Sequence, residues 1–208
     1  MKFVTKSALI ASALALSACG QGLGGEYGIS DYTAVGVHRV EVGDGSMSVV
    51  PPRPWNRHRH IIFGDIHEVD DWTLDGPILD EVSFVSGLKD NRALIRQRWS
   101  ANQQVPRFRS NMTPPEIATM LESLFRVRGG AVDFRTLSLT PRPFLGTNGF
   151  QLDYEHLDSD EVWRKGRAVG AVINGRLYMI LLDAARSHYF DATLPDFEAL
   201  VASARYHA

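Results

Sequence analysis

Residues 162–182 read VWRKGRAVGAVINGRLYMILL. Asn174-Gly175 sits between two apolar runs, and this dipeptide favours the positive backbone angles of a tight two-residue hairpin turn. The run before it, AVGAVI, and the run after it, LYMILL, are apolar at consecutive positions. Successive strand residues point to opposite faces, so both faces of this hairpin are apolar. An antiparallel pair usually needs one apolar face, and a second predicts packed cover on each side.

Two segments are read as helices that supply that cover. Thr113-Pro114-Pro115-Glu116 places a capping residue, a proline in the first turn and a glutamate three residues after the cap. Ile117, Met120, Leu121, Leu124 and Phe125 follow at helical spacing, and Gly129-Gly130 supplies a stop. The spacing predicts a helix over 113–128. A closing helix is expected over 194–205, started by Thr193, Pro195 and Asp196, with Phe197, Leu200, Val201 and Ala204 inward.

Further strands are expected around the hairpin. In GFQLDYEHL, Phe150, Leu152 and Tyr154 alternate with Gln151, Asp153 and Glu155, the pattern of a strand with one wet face. Two short strands are expected around Gly43-Asp44-Gly45, and HIIFGDI and PILDEVSFV read as strands, the second after an Asp75-Gly76 turn. PPRPWNRHRH (Pro51–His60) reads as a loop, because its three prolines deny backbone donors. The class is α+β: a mostly antiparallel sheet flanked by helices.

Leu177-Tyr178-Met179, Phe190 and a last helix ending Ser203-Ala204-Arg205 give residues 113–205 an order similar to the closing half of PsbP-like α/β/α sandwiches. That resemblance implies such a sandwich and, since these domains mostly bind or assist larger assemblies, a non-enzymatic role. Trp72–Phe84, WTLDGPILDEVSF, resembles a stretch of uncharacterised proteobacterial lipoproteins and implies no activity.

The N-terminus carries an address. Lys2 and Lys6 precede an apolar run from Ser7 to Ala18, too short to cross a bilayer and suited to a secretory signal. Leu16-Ser17-Ala18-Cys19 resembles the lipobox of bacterial lipoproteins. The resemblance implies cleavage before Cys19, with Leu16, Ser17 and Ala18 recognised by the peptidase, and lipidation of the Cys19 thiol. An ordinary signal with an incidental cysteine, or a buried thiol, is the plainer alternative. Gly20, in place of Asp, by the same resemblance implies the outer membrane; the domain is expected to face the periplasm, a choice of face that Gly20 itself does not make. Two or more acyl chains would give stable anchoring. Cys19 is the single cysteine, so its lipidation leaves no thiol for a disulfide, catalysis or a metal.

The expected organisation is a signal peptide over 1–18, a lipidated cysteine and glycine-rich tether over 19–33, and one domain over 34–208. The tether would span roughly 20 Å as a flexible coil. Cleavage removes two lysines and leaves 20 basic against 24 acidic residues, a net charge of −4. That balance gives no reason to expect nucleic-acid binding.

Candidate chemistry is sparse. His58, His60 and His67, with Asp70 and Asp71 close behind, could gather three imidazoles and a carboxylate around zinc, giving a metal-dependent envelope hydrolase as the alternative function. The spacing lacks a motif that fixes two ligands on one helix, and Arg59 between two of the histidines would repel a dication. A basic loop followed by an acidic turn is the preferred reading. Asp158, Asp160 and Glu161 read as a solvated turn because a calcium loop needs a longer ligand run. Asp75, Asp80 and Glu81 could form a glycosidase-like acid pair, with the turn reading of Asp75-Gly76 preferred. Ser86-Gly87 lacks the glycine pattern of a nucleophile elbow, and VGDGSMS leads into strand residues where a phosphate loop requires a helix. Arg92, Arg96 and Arg98 beside Trp99 read as a solvated face. No cofactor is expected. The sequence therefore favours a membrane-anchored lipoprotein that binds an envelope protein or a small ligand without catalysis.

Overall fold

The structure is a computed structural model that describes residues 30–60, 66–95, 105–128 and 130–207. Cys19, its lipobox and residues 20–29 of the tether lie outside these residues. Among the described residues eleven strands and two helices follow in chain order: β1 (Ser30–Val35), β2 (Val40–Val42), β3 (Met47–Val49), β4 (Trp55–His60), β5 (Val69–Thr73), β6 (Asp80–Leu88), α1 (Pro114–Arg128), β7 (Asp133–Pro141), β8 (Phe150–Leu157), β9 (Trp163–Ile173), β10 (Arg176–Ala185), α2 (Tyr189–Ser203) and β11 (Arg205–Tyr206). Eight strands form one antiparallel sheet in the order β1-β4-β5-β6-β10-β9-β8-β7, and β11, β3 and β2 form a small second sheet. The architecture is α+β, dominated by antiparallel sheet.

The β9–β10 hairpin is the spine of the large sheet. Asn174 and Gly175 turn it with φ of 51° and 72°, as a two-residue turn of this hand requires. Its alternate residues enter two separate cores. Val169, Ala171, Tyr178, Ile180 and Leu182 pack with Phe190, Phe197 and Leu200 of α2. Ala168, Leu177, Met179 and Leu181 pack with Ile117, Leu121 and Leu124 of α1. Each fully buried Leu or Phe here contributes about 1.5–3 kcal/mol relative to exposure. A hairpin apolar on both faces thus has a helix on each.

The start of α1 is as expected: the Thr113 amide and hydroxyl both donate to Glu116 Oε2 at 2.7 Å, and Ile117 N–H donates to the Thr113 carbonyl. The start of α2 is not. The helix begins at Tyr189 rather than 194, and Thr193, expected to start it, is buried one turn inside. Pro195 lies in the helix interior, where its missing N–H leaves one carbonyl without its helical donor.

Three further expectations are corrected. Residues 55–60 of the anticipated loop form β4, since the three prolines all precede Trp55 and leave the strand its donors. The strand expected at HIIFGDI falls mostly outside the described residues; the strand present is β5, and it begins at Val69 after a turn at His67-Glu68. β1 begins at Ser30, so four residues assigned to the tether pair with β4 instead. Among the described residues no helix is long and apolar enough to cross a membrane.

Candidate functional site

The histidines proposed as metal ligands fall on two segments, His58 and His60 on β4 and His67 in the turn before β5. His58 is buried in β4, stacked on Tyr32 at 4.9 Å between ring centres and paired across the ladder with Asp71. His67 is exposed in the turn before β5, and the side chain of His60 lies outside the described residues. The nearby carboxylates have other partners. Asp70 pairs with Arg57 at 2.9 Å, and Asp71 accepts from the Ser83 hydroxyl at 2.5 Å. Among the described residues no group of three or more His, Cys, Asp or Glu is arranged to hold a metal.

The other candidates have structural partners or lie at the surface. Buried Asp80 accepts from the Thr73 hydroxyl (2.6 Å) and from the amides of Leu74 and Asp75, so it pins a turn and does not pair with Asp75 as an acid and base. Ser86 donates to Asp44 at 2.8 Å. Arg92 is exposed, while Arg96, Arg98 and Trp99 lie outside the described residues.

The strongest cluster of titratable groups escapes sequence inspection. β8, β9 and β10 bring His156, Arg164 and Asp183 together beneath the rings of Phe125, Phe134 and Tyr154. Asp183 is bound by Arg164 Nε, by His156 Nε2 at 2.8 Å and by the Tyr154 hydroxyl at 3.0 Å. Asp158 stands 2.7 Å from His156 Nδ1, close enough to favour the imidazolium. Burial disfavours the imidazolium, but Asp158 and Asp183 outweigh it and push His156 up to about 9. Burial likewise opposes the Asp183 carboxylate, and Arg164 and His156 overcome it, holding that carboxyl well below the usual range. Arg164 reaches on to the Ile78 carbonyl. Both imidazole nitrogens face carboxylates and His156 is 1% exposed, so this is a closed ionic knot with no free base or nucleophile. One signal for it lay in the alternation of β8, where His156 follows Phe150, Leu152 and Tyr154 onto the inward face.

An accessible site lies at the other end of the β7–β8 pair. Phe144 and Thr147 exchange backbone hydrogen bonds around a tight turn formed by Leu145 (φ 51°) and Gly146 (φ 79°). That turn faces the end of α2 and β11, and between them runs an open groove of about 620 Å³. Phe144, Leu145 and Val201 give it apolar walls; Arg142, Arg205 and Tyr206 give it polar edges. The volume is in the range of ligand sites. Arg142 is committed to Glu198 (2.6 Å) and Gln151 (2.7 Å), and Glu198 also receives Arg167 at 2.8 Å. Arg205 is exposed, and among the described residues no carboxylate is in ion-pair contact with it. A bulky residue at positive φ is uncommon and strained, and such strain collects at binding sites.

No protein-family model matches this chain, and neither does any curated protein. A solved structure does: the solution structure of cyanobacterial PsbP (CyanoP) from Synechocystis sp. PCC 6803 superposes with a TM-score of 0.53 over 90% of this chain and 99% of that one, at 15% identity. The chain is similar to PsbP in fold.

Proposed function

We propose that this chain is a membrane-anchored envelope lipoprotein whose α/β/α sandwich is a non-catalytic binding or assembly module, and that the groove between the Leu145-Gly146 turn and β11 is its docking surface. The observation that carries this reading is a contrast. The His156–Asp183–Arg164 cluster is buried and its charges are paired, whereas the groove is open, lined by apolar and polar groups together, and edged by an exposed arginine that no carboxylate among the described residues contacts. In this reading Cys19 carries the lipid, Leu16, Ser17 and Ala18 direct cleavage, and the domain faces the periplasm from the outer membrane. The partner is an envelope protein or a small ligand; no nucleic acid and no cofactor are involved.

A photo-crosslinking residue at Ala202, an exposed position on the groove wall, tests the surface in cells. A discrete adduct, lost when the probe is moved to exposed Asp133-flanking Val132 at the far end of β7, is the expected result. Equal labelling from both positions, or none from Ala202, would overturn it. Cys19→Ala tests the anchor: the expected result is release from the membrane or arrest of maturation, and normal lipidation of the variant would sink the assignment.

A further inference from the structure

We propose that the groove takes an extended peptide segment that adds as a strand to the free edge of β11, with an acidic side chain against Arg205 and an apolar side chain between Phe144 and Val201. This rests on the reading of the groove as the docking surface and names the chemistry of its partner.

The backbone supplies the first argument. Among the described residues β11 is the outer strand of the small sheet and pairs only with β3, with Arg205 opposite Ser48 and Tyr206 opposite Met47. His207 N–H donates to the Ser46 carbonyl at 2.9 Å. Hydrogen-bonded and non-hydrogen-bonded positions alternate in an antiparallel pair, so Arg205 and His207 direct their backbone groups toward β3. Tyr206 then directs its N–H and C=O away from β3, toward the groove it lines. Neither group has a protein hydrogen-bond partner among the described residues. An unpaired strand edge is a template for another chain, and strand addition is a recurrent mode of peptide recognition.

Charge supplies the second argument. The outer face of the small sheet carries Arg39, Glu41, Ser48, Arg205 and His207. Arg39 donates to the Ser48 hydroxyl at 3.0 Å and to the Ser203 carbonyl, and His207 Nε2 bonds the same hydroxyl at 2.7 Å. Glu41 stands on β2, across the full width of β3 from β11. Among the described residues no carboxylate pairs with Arg205 beside this edge, and its charge complements a carboxylate. Residues two apart on an added strand share a face, so a carboxylate and an apolar group would fall on opposite sides when adjacent in sequence. Alternating acidic and apolar residues are the matching pattern. A long aliphatic carboxylate would match the charge and the walls but leave the Tyr206 backbone unpaired.

Binding of a blocked, fluorescent heptapeptide alternating valine and aspartate to the full-length chain in detergent micelles tests this. The expected result is saturable binding, weakened roughly tenfold or more by Arg205→Glu and recovered in that variant by the valine–lysine peptide. N-methylation of the central peptide amides should abolish binding, since it removes the strand donors. Arg205 is exposed, so the variant is expected to fold, and circular dichroism checks this. No saturable binding, equal binding by the variant, or unchanged binding of the N-methylated peptide would each overturn the inference. So would tighter binding of a fatty-acid carboxylate that competes at the same site. A specific Ala202 adduct in cells with no peptide binding would discard the strand-addition chemistry while keeping the docking surface. Loss of the adduct discards the surface itself.

Discussion

The two ends of the β7–β8 pair handle charge in opposite ways. At one end His156, Asp158, Arg164 and Asp183 balance two cations against two carboxylates inside a ring-lined pocket. At the other, Arg142 is neutralised by Glu198 while Arg205 faces solvent beside an open groove of mixed polarity. The buried end is the costlier arrangement, because each ion there has given up water and depends on its partners. The exposed end gives up almost nothing in the free protein, so its charge remains available to a ligand. Concentrated titratable groups therefore mark the scaffold here, and the docking surface proposed above lies where they are sparse.

The largest effect should come from breaking the buried set. Asp183→Ala leaves Arg164 and His156 enclosed without their shared carboxylate and should cost about 3–5 kcal/mol in urea unfolding. Arg205→Ala should leave the midpoint unchanged. Equal effects from the two would erase the distinction between the ends.

The pH dependence follows from the same cluster. The folded-state value of His156 is raised to about 9, above its unfolded 6.5, so folding takes up a proton in that interval. Its stabilisation is fully present below pH 6.5 and is lost as pH rises through about 9, on the order of 3 kcal/mol across the window. In His156→Gln the fall over this window should flatten, and an unchanged slope would assign it elsewhere. Gly166 offers a packing version of the test. A Cβ placed there would collide with the Tyr154 ring, so Gly166→Ala should destabilise by about 1–3 kcal/mol through overpacking, read from the same unfolding curves.

What the sequence made legible was local. Asn174-Gly175, the Thr113–Glu116 cap and the double apolar faces of β9 and β10 each encode their geometry within a few residues, and these placed both helices on the sheet. β4 was hidden because WNRHRH is nearly all polar; its pairing with β1 and β5 defines it as a strand. β7 was hidden because Leu137 bulges from an edge strand and breaks the alternation. The start of α2 was hidden because His188 makes no side-chain cap. The candidate sites were less legible still. His156, Arg164 and Asp183 come from three strands, and the groove joins residues 142–146 to residues 201–206, so apart from the β8 alternation that carries His156 inward, neither site leaves a spacing that could be read along the chain.

The smallest stability effect is the sharpest test of the open end. Leu145 holds a left-handed conformation that costs a β-carbon-bearing residue about 1–2 kcal/mol, and asparagine tolerates it better. The leucine side chain is also half-buried against Phe144 and its neighbours, a contact that asparagine would forfeit. The two terms oppose each other, so Leu145→Asn should move the unfolding free energy by less than about 1 kcal/mol in either direction. Its effect on the groove has no such offset, since the substitution removes one apolar wall. Near-unchanged urea unfolding with a marked loss of the Ala202 adduct would separate docking from folding at one residue. A strong gain in stability with the adduct retained would identify the leucine as incidental and leave the walls to Phe144 and Val201.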